Sequence, residues 1–118
     1  MALSKEQFLG FRPQLTPVEV PELGGTIYLR IMSGTERDSF EAEAFRLNGK
    51  NVEINRENFR ARLLVRTLCG EDGVRWFRDD ELDAVGALSS TVTVPLADKA
   101  SQINGISKAD QEAIAKNS

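Results

Sequence analysis

The sequence predicts a helix-rich α+β domain, an N-terminal β-hairpin followed by four to five helices. Three observations carry that expectation. Thr26 to Met32 alternates, with Ile27, Leu29 and Ile31 on one face of a strand and Tyr28, Arg30 and Met32 on the other. Arg56 to Cys69 has no glycine or proline and places Ala61, Leu64, Val65 and Leu68 at i, i+3, i+4, i+7, one helical face. The 118 residues are 41% hydrophobic and 28% charged, which suits one domain with a single core.

The elements follow in order. Ser4-Lys5-Glu6-Gln7 caps a short helical turn carrying Phe8 and Leu9, or else residues 1–16 form a loose arm. Pro13, Pro17 and Pro21 restrict any strand at Val18–Val20 to a short edge strand. Glu22-Leu23-Gly24-Gly25 then turns the chain into Thr26–Met32, and Val74–Phe77 is the expected third strand of an antiparallel sheet. Ser33-Gly34-Thr35-Glu36 is a capping-box pattern, opening a helix that runs to about Phe45 or Arg46 and buries Phe40 and Ala44. Asn48-Gly49-Lys50-Asn51 reads as a polar loop.

Asn55 is the expected N-cap of the central helix, and Gly70-Glu71-Asp72-Gly73 breaks it. Asp79 or Asp80 caps a short helix presenting Leu82, Val85 and Leu88. Ser89–Thr93, rich in hydroxyl and β-branched side chains, reads as a connection. Pro95 then fits the first turn of a helix over Leu96–Asn104, which Gly105 ends. Ser107-Lys108-Ala109-Asp110 caps a last helix anchored by Ile114, so residues 106–118 are expected to dock loosely.

Composition removes several function classes. There is no histidine, which eliminates Ser-His-Asp and Cys-His nucleophilic chemistry, the usual zinc sites and the commonest general base near neutrality. An enzyme of carboxylates, lysine and arginine is the minority reading, and no cofactor or metal is expected. The net charge of −3 argues against a dedicated nucleic-acid binder. No apolar run is long enough to span a bilayer, and the first ten residues contain Lys5 and Glu6 where a signal peptide needs an apolar core. A lone cysteine, Cys69, fits a reducing cytosol.

Each feature with a sharp reading also has a plain one. Asp79, Asp80, Glu81 and Asp83 resemble cation ligands, but consecutive carboxylates at a helix start usually offset the helix dipole, by about 0.3–1 kcal/mol each. Cys69 ends an apolar helix with no histidine to activate it, so it reads as a small buried hydrophobe. Gly24-Gly25 lacks the spacing of a phosphate cradle and reads as a hairpin turn.

The central helix has more apolar surface than one stripe. Phe59 and Leu63 lie opposite the main face, among Arg56, Arg60, Arg62 and Arg66. Such a helix is either sandwiched inside the fold or presents its second face to another chain. With Glu53, Glu57 and Glu71 nearby, the arginines read first as a solvated or salt-bridged face, then as a protein-partner face, and last as a nucleic-acid contact.

In ordered short stretches the chain resembles the tail assembly chaperones of long-tailed bacteriophages. These run from Leu23-Gly24-Gly25-Thr26-Ile27-Tyr28-Leu29-Arg30 and Ser33-Gly34-Thr35-Glu36-Arg37-Asp38 to Arg60-Ala61-Arg62-Leu63-Leu64-Val65-Arg66-Thr67-Leu68-Cys69. Glu71-Asp72-Gly73 with Trp76-Phe77, Asp79-Asp80-Glu81-Leu82, Ile103-Asn104-Gly105-Ile106-Ser107 and Lys116-Asn117 complete the set. Ser89–Pro95 departs from it, being less helical than the family usually looks.

The resemblance implies a non-enzymatic protein that binds the tape measure protein and keeps it soluble until tail tube subunits polymerise around it. It further implies a short form beside a frameshift-extended form that recruits the tail tube protein, several copies acting together, a place in the host bacterial cytoplasm and absence from the finished virion. No nucleic-acid or membrane partner is implied. The alternatives are a head–tail completion protein of the virion, a small nucleic-acid-binding regulator on the Arg56–Arg66 face, and an enzyme using the Asp79–Asp83 carboxylates.

A client-holding domain needs apolar anchors in a polar surround. The expected partner surface is therefore Arg56, Phe59, Arg60, Leu63 and Arg66, with Ile106 and Ile114 of the C-terminal helix second. On that expectation, Phe59→Ala combined with Leu63→Ala keeps the fold and loses client or self binding.

Overall fold

The computed structural model describes residues 1–106, with the side chains at 46–48 and 52 left outside that description. The chain starts with α1 (Lys5–Leu9), whose capping box joins the Ser4 side chain to the Gln7 N–H and the Gln7 side chain to the Ser4 N–H. None of its residues is buried. Two antiparallel strands follow, β1 (Thr16–Val20) and β2 (Gly25–Leu29), in a register that sets Thr16 opposite Leu29 and Val20 opposite Gly25. A 3-10 turn over Pro21–Leu23 joins them, and Gly24 closes it at φ 71°, a left-handed conformation that favours glycine. The expected hairpin is therefore present, with β2 stopping at Leu29, short of Met32.

That early stop has a cause. Met32 turns inward, and its N–H donates to Oδ1 of Asn104 at 2.8 Å, while Nδ2 of Asn104 donates to the Ala100 carbonyl. The buried Asn104 thus supplies the bond that a neighbouring strand would have given. Arg37 donates to the Asn104 carbonyl, so the end of the last described helix is held to both β2 and the next helix.

That next helix, α2 (Gly34–Ala44), begins with the expected Ser33/Glu36 capping box and buries Phe40 and Ala44. Beyond it the expected polar loop is the tip of a second hairpin, β3 (Phe45–Asn48) with β4 (Asn51–Ile54). Gly49, at φ 66°, and Lys50 form its two-residue connection. Asn55 does not cap the central helix. Its N–H bonds the Ala44 carbonyl and its Nδ2 the Glu43 carbonyl, while its Oδ1 accepts the Glu57 N–H, so its side chain ties the end of α2 to the turn ahead of the central helix. The central helix, α3 (Phe59–Thr67), starts later, after Asn58 at φ 52°.

The sheet has three antiparallel strands in the order β1-β2-β5, but its third strand is β5 (Leu68–Cys69), which continues directly from α3. Tyr28 pairs with Cys69 and Leu29 with Leu68. The expected strand at Val74–Phe77 reduces to a single bridge between Arg75 and Cys69. The turn closed by Gly73 (φ 82°) folds this stretch back on β5, and Arg75 is drawn inward by its ion pairs, leaving no extended run to pair.

Two further helices complete the described part, α4 (Leu82–Gly86) and α5 (Ser90–Ile103). The stretch expected to be a connection, Ser89–Thr93, is instead the start of α5, with Pro95 inside the helix and the Ser89 hydroxyl accepting the Thr91 N–H. Packing overrides propensity here: Val92 lies against the core, Leu96, Ala97 and Ala100 are buried, and α5 packs chiefly on α3. The C-terminal helix expected from Ser107, with Ile114, lies outside the described residues.

Candidate partner-binding surface

α3 touches α2, α4 and α5, and its C-terminal end runs into the sheet. It is therefore sandwiched, and its second apolar face is covered by the fold itself. Leu63 is 0% exposed and belongs to the main cluster with Phe40, Leu64 and Leu96. Phe59 is half-buried, edge-on to Phe40 at 5.6 Å and to Phe45 at 6.5 Å between ring centroids. Ile106 is buried, and Arg66 is completely so. Of the residues expected to form an exposed surface, Leu63, Arg66 and Ile106 are interior; Arg56 and Arg60 are exposed, and Ile114 is outside the described residues.

Arg66 is held by a chain of alternating charges. Its Nη2 lies 2.9 Å from Glu43 and 3.3 Å from Asp79 and also donates to the Ser39 hydroxyl, while Nη1 donates to the Arg62 carbonyl. Glu43 also takes Arg62 at 2.8 Å. Asp79 takes Arg75 at 2.6 Å, Arg75 reaches Glu36 at 3.2 Å, and Glu36 pairs with Arg30 at 2.8 Å. Four arginines and three carboxylates thus connect α2, α3, the residue after β2 and the stretch before α4. Asp79 is part of this network, whereas the acidic run had read as helix capping; its partners are 13 and 4 residues away in sequence. The arginine face is salt-bridged at Arg62 and Arg66, but to Glu43 and Asp79 and not to the acidic residues nearest in sequence.

The network fixes the sense of acid sensitivity. Burial alone would raise the pKa of Glu36, but the Ser33 N–H and the Arg30 and Arg75 guanidiniums outweigh it and hold the carboxyl low. Asp79 is likewise pushed up by burial and brought lower by Arg75 and Arg66. A carboxylate with a depressed folded pKa stabilises the fold above its unfolded value, about 4 for these groups, and that contribution is lost as pH falls through the folded value. Thermal melts between pH 7 and pH 3 should show Tm falling most steeply below about pH 4. Glu36→Gln with Asp79→Asn should flatten that slope, and an unchanged slope would contradict the network's role. Burial raises the Cys69 thiol, in keeping with an inert small side chain.

The uncovered apolar surface lies elsewhere. Met1, Leu3, Phe8, Leu9 and Phe11 are all exposed, Phe8 at 73% and Phe11 at 71%. Five large apolar side chains within eleven residues, two of them on α1 and the others flanking it, form the densest such group among the described residues. The pattern Phe8-Leu9-Gly10-Phe11 ahead of Pro13 was the available signal; capping logic explained the turn and left its apolar side chains without a role. Val74 and Trp76 are also exposed, on the turn that follows β5.

A shallow open depression of about 220 Å³ sits where α3 begins, between it and the α4–α5 region. Phe59, Ala61, Val85 and Gly86 line it together with Arg56, Asn58, Arg60 and Thr93, and more of its surface is polar than apolar. Among the described arginines, Arg30, Arg37, Arg62, Arg66, Arg75 and Arg78 are in ion pairs and Arg12 donates to backbone carbonyls. Arg56 and Arg60 have no side-chain hydrogen bond or ion pair among the described residues.

These features define a class: a small, helix-rich α+β domain that pairs most of its described arginines internally and leaves its N-terminal apolar side chains uncovered. The sequence model of the phage tail assembly chaperones matches residues 1–117, and the chain belongs to that family. The family is a non-catalytic one. Neither a curated protein nor a solved structure matches the chain.

Proposed function

We propose that this tail assembly chaperone binds the tape measure protein and keeps it soluble while the tail tube polymerises. Family membership supports this reading, and one structural observation carries it: the unburied apolar group of Leu3, Phe8, Leu9 and Phe11 at the N-terminus. A long helical client with apolar stripes is kept from aggregating by apolar side chains that are free before it arrives. Several copies along one client multiply a weak contact into lasting association, so the working unit is a homo-oligomer. The chain serves as the form translated without frameshifting, beside an extended form that recruits the tail tube protein. Both belong to the host bacterial cytoplasm and are absent from the mature virion. These last points rest on the resemblance to the family and not on where this chain stops.

The test is co-expression with the tape measure protein encoded in the same genome. The client is expected in the soluble fraction with this chain and in the pellet without it, and mass spectrometry of purified particles is expected to find no copies of the chain. A client that stays insoluble, or a chain present in virions at structural stoichiometry, overturns the reading. Phe8→Ser with Phe11→Ser should abolish solubilisation while leaving Tm within about 1–2 °C, since neither side chain is buried.

A further inference from the structure

We infer that the depression at the start of α3 is a second client subsite, one that takes an apolar side chain flanked by carboxylates on a helical segment. The inference rests on the chaperone reading and adds the chemistry by which the client is chosen. It starts from a charge imbalance. In a chain of net charge −3, Arg56 just ahead of α3 and Arg60 on its first turn have no counter-ion among the described residues. Both are exposed, and both line the one face where the aromatic ring of Phe59 lies partly uncovered.

Geometry sets the size and shape of what fits. The depression, about 220 Å³ and open to solvent, is smaller than a drug-sized pocket of roughly 300–1,000 Å³ and accommodates one large side chain. Phe59, Ala61, Val85 and Gly86 give it an apolar patch inside a mostly polar lining that also includes Asn58 and Thr93, and a Cβ at Gly86 would come 3.2 Å from Oδ1 of Asn58. Arginines beside an aromatic side chain recur at protein–protein contacts, where guanidinium groups donate paired hydrogen bonds to carboxylates. An apolar residue with Glu or Asp three or four positions away presents both chemistries on one helical face.

This subsite would work beside the N-terminal arm. The arm supplies indiscriminate apolar cover, and the arginine-lined pocket selects acidic stretches of a client, fixing where copies settle. Binding there should weaken with ionic strength, as exposed charge pairs do.

The probe is a fluorescent helical peptide of sixteen or so residues carrying one Phe with Glu at the positions three and four residues to either side. Its counterpart has Lys in place of each Glu. Fluorescence anisotropy with the intact protein is expected to show the acidic peptide binding at least about tenfold more tightly than the basic one at low salt, the preference shrinking at high salt. Arg56→Glu with Arg60→Glu should invert the preference while leaving the melting curve as wild type. The peptide comparison needs no variant, so it decides the matter even if the double variant folds poorly.

Equal binding of the two peptides overturns the inference. So does a double variant whose oligomeric state changes by light scattering while its peptide preference does not, which would assign the pocket to a second copy of this chain. If wild-type protein solubilises the tape measure protein yet shows no acidic preference, the subsite falls and the chaperone reading stands. If it fails to solubilise the client, the chaperone reading falls, whatever the peptides do.

Discussion

Replacing Arg66 by alanine is expected to destabilise the fold by about 3 kcal/mol, seen as a fall in Tm of about 10–15 °C. The guanidinium is 0% exposed and donates to four acceptors, the Arg62 carbonyl, the Ser39 hydroxyl, Glu43 and Asp79. Removing one member of a buried ion pair costs about 3–5 kcal/mol, because the charge left behind is desolvated. Here the lower end applies, since Glu43 keeps Arg62, Asp79 keeps Arg75, and both carboxylates are partly open to solvent. Arg66→Lys should restore less than half of the loss, because an ammonium group cannot span acceptors that a planar fork reaches together. A Tm for Arg66→Ala within 3 °C or so of wild type would show that the network adds little.

The second large effect reverses an expectation drawn from sequence. Phe59→Ala with Leu63→Ala should unfold the domain or lower its Tm by more than about 15 °C, where the sequence had the pair exposed and dispensable for folding. Leu63 is completely buried, and a buried Leu→Ala change costs about 2–5 kcal/mol. Phe59 adds the loss of edge contacts with Phe40 and Phe45, in part desolvated, at roughly 2 kcal/mol. Together these approach the whole stability of a small domain, about 5–15 kcal/mol. The two positions are one helical turn apart and share neighbours, so the double-mutant cost need not equal the sum. Native circular dichroism and an unchanged melt for the double variant would return these residues to the surface.

Why one face of α3 was misplaced is physically clear. Counting periodicity located the stripe of Ala61, Leu64, Val65 and Leu68 and noticed the excess at Phe59 and Leu63. It left open whether a neighbour inside the fold or a second chain covers the excess. That depends on α2, α4 and the β3–β4 hairpin, which approach α3 from segments separated from it in sequence. Arg62 and Arg66 looked solvent-facing for the same reason, since their partners Glu43 and Asp79 lie in other elements. Arg56 and Arg60, on the first turn and ahead of it, remain exposed as expected.

The secondary structure divides along the same line. Both capping boxes, at Ser4 and Ser33, were readable because the donor and acceptor are three residues apart. The β1–β2 hairpin was readable because proline, glycine and alternation occur within fifteen or so residues. The β3–β4 hairpin carries a local cue, Gly49-Lys50 between the paired Asn48 and Asn51, but its flanking residues also fit a helix end and a polar loop. α5 offered a misleading cue: Val92, Thr93 and Val94 lower helix propensity by tenths of a kcal/mol each, and burial against α3 outweighs that.

Local chemistry along the chain was therefore enough to set the α+β class, the first hairpin, the capped helix starts and the likeness to tail assembly chaperones. Three-dimensional packing alone decided which apolar side chains are core, which arginines are paired, and that the uncovered apolar group is the N-terminal arm. The reason is range. Caps and turns are bonds between residues a few positions apart, whereas burial is a property of what arrives from elsewhere in the chain, and no single segment encodes it.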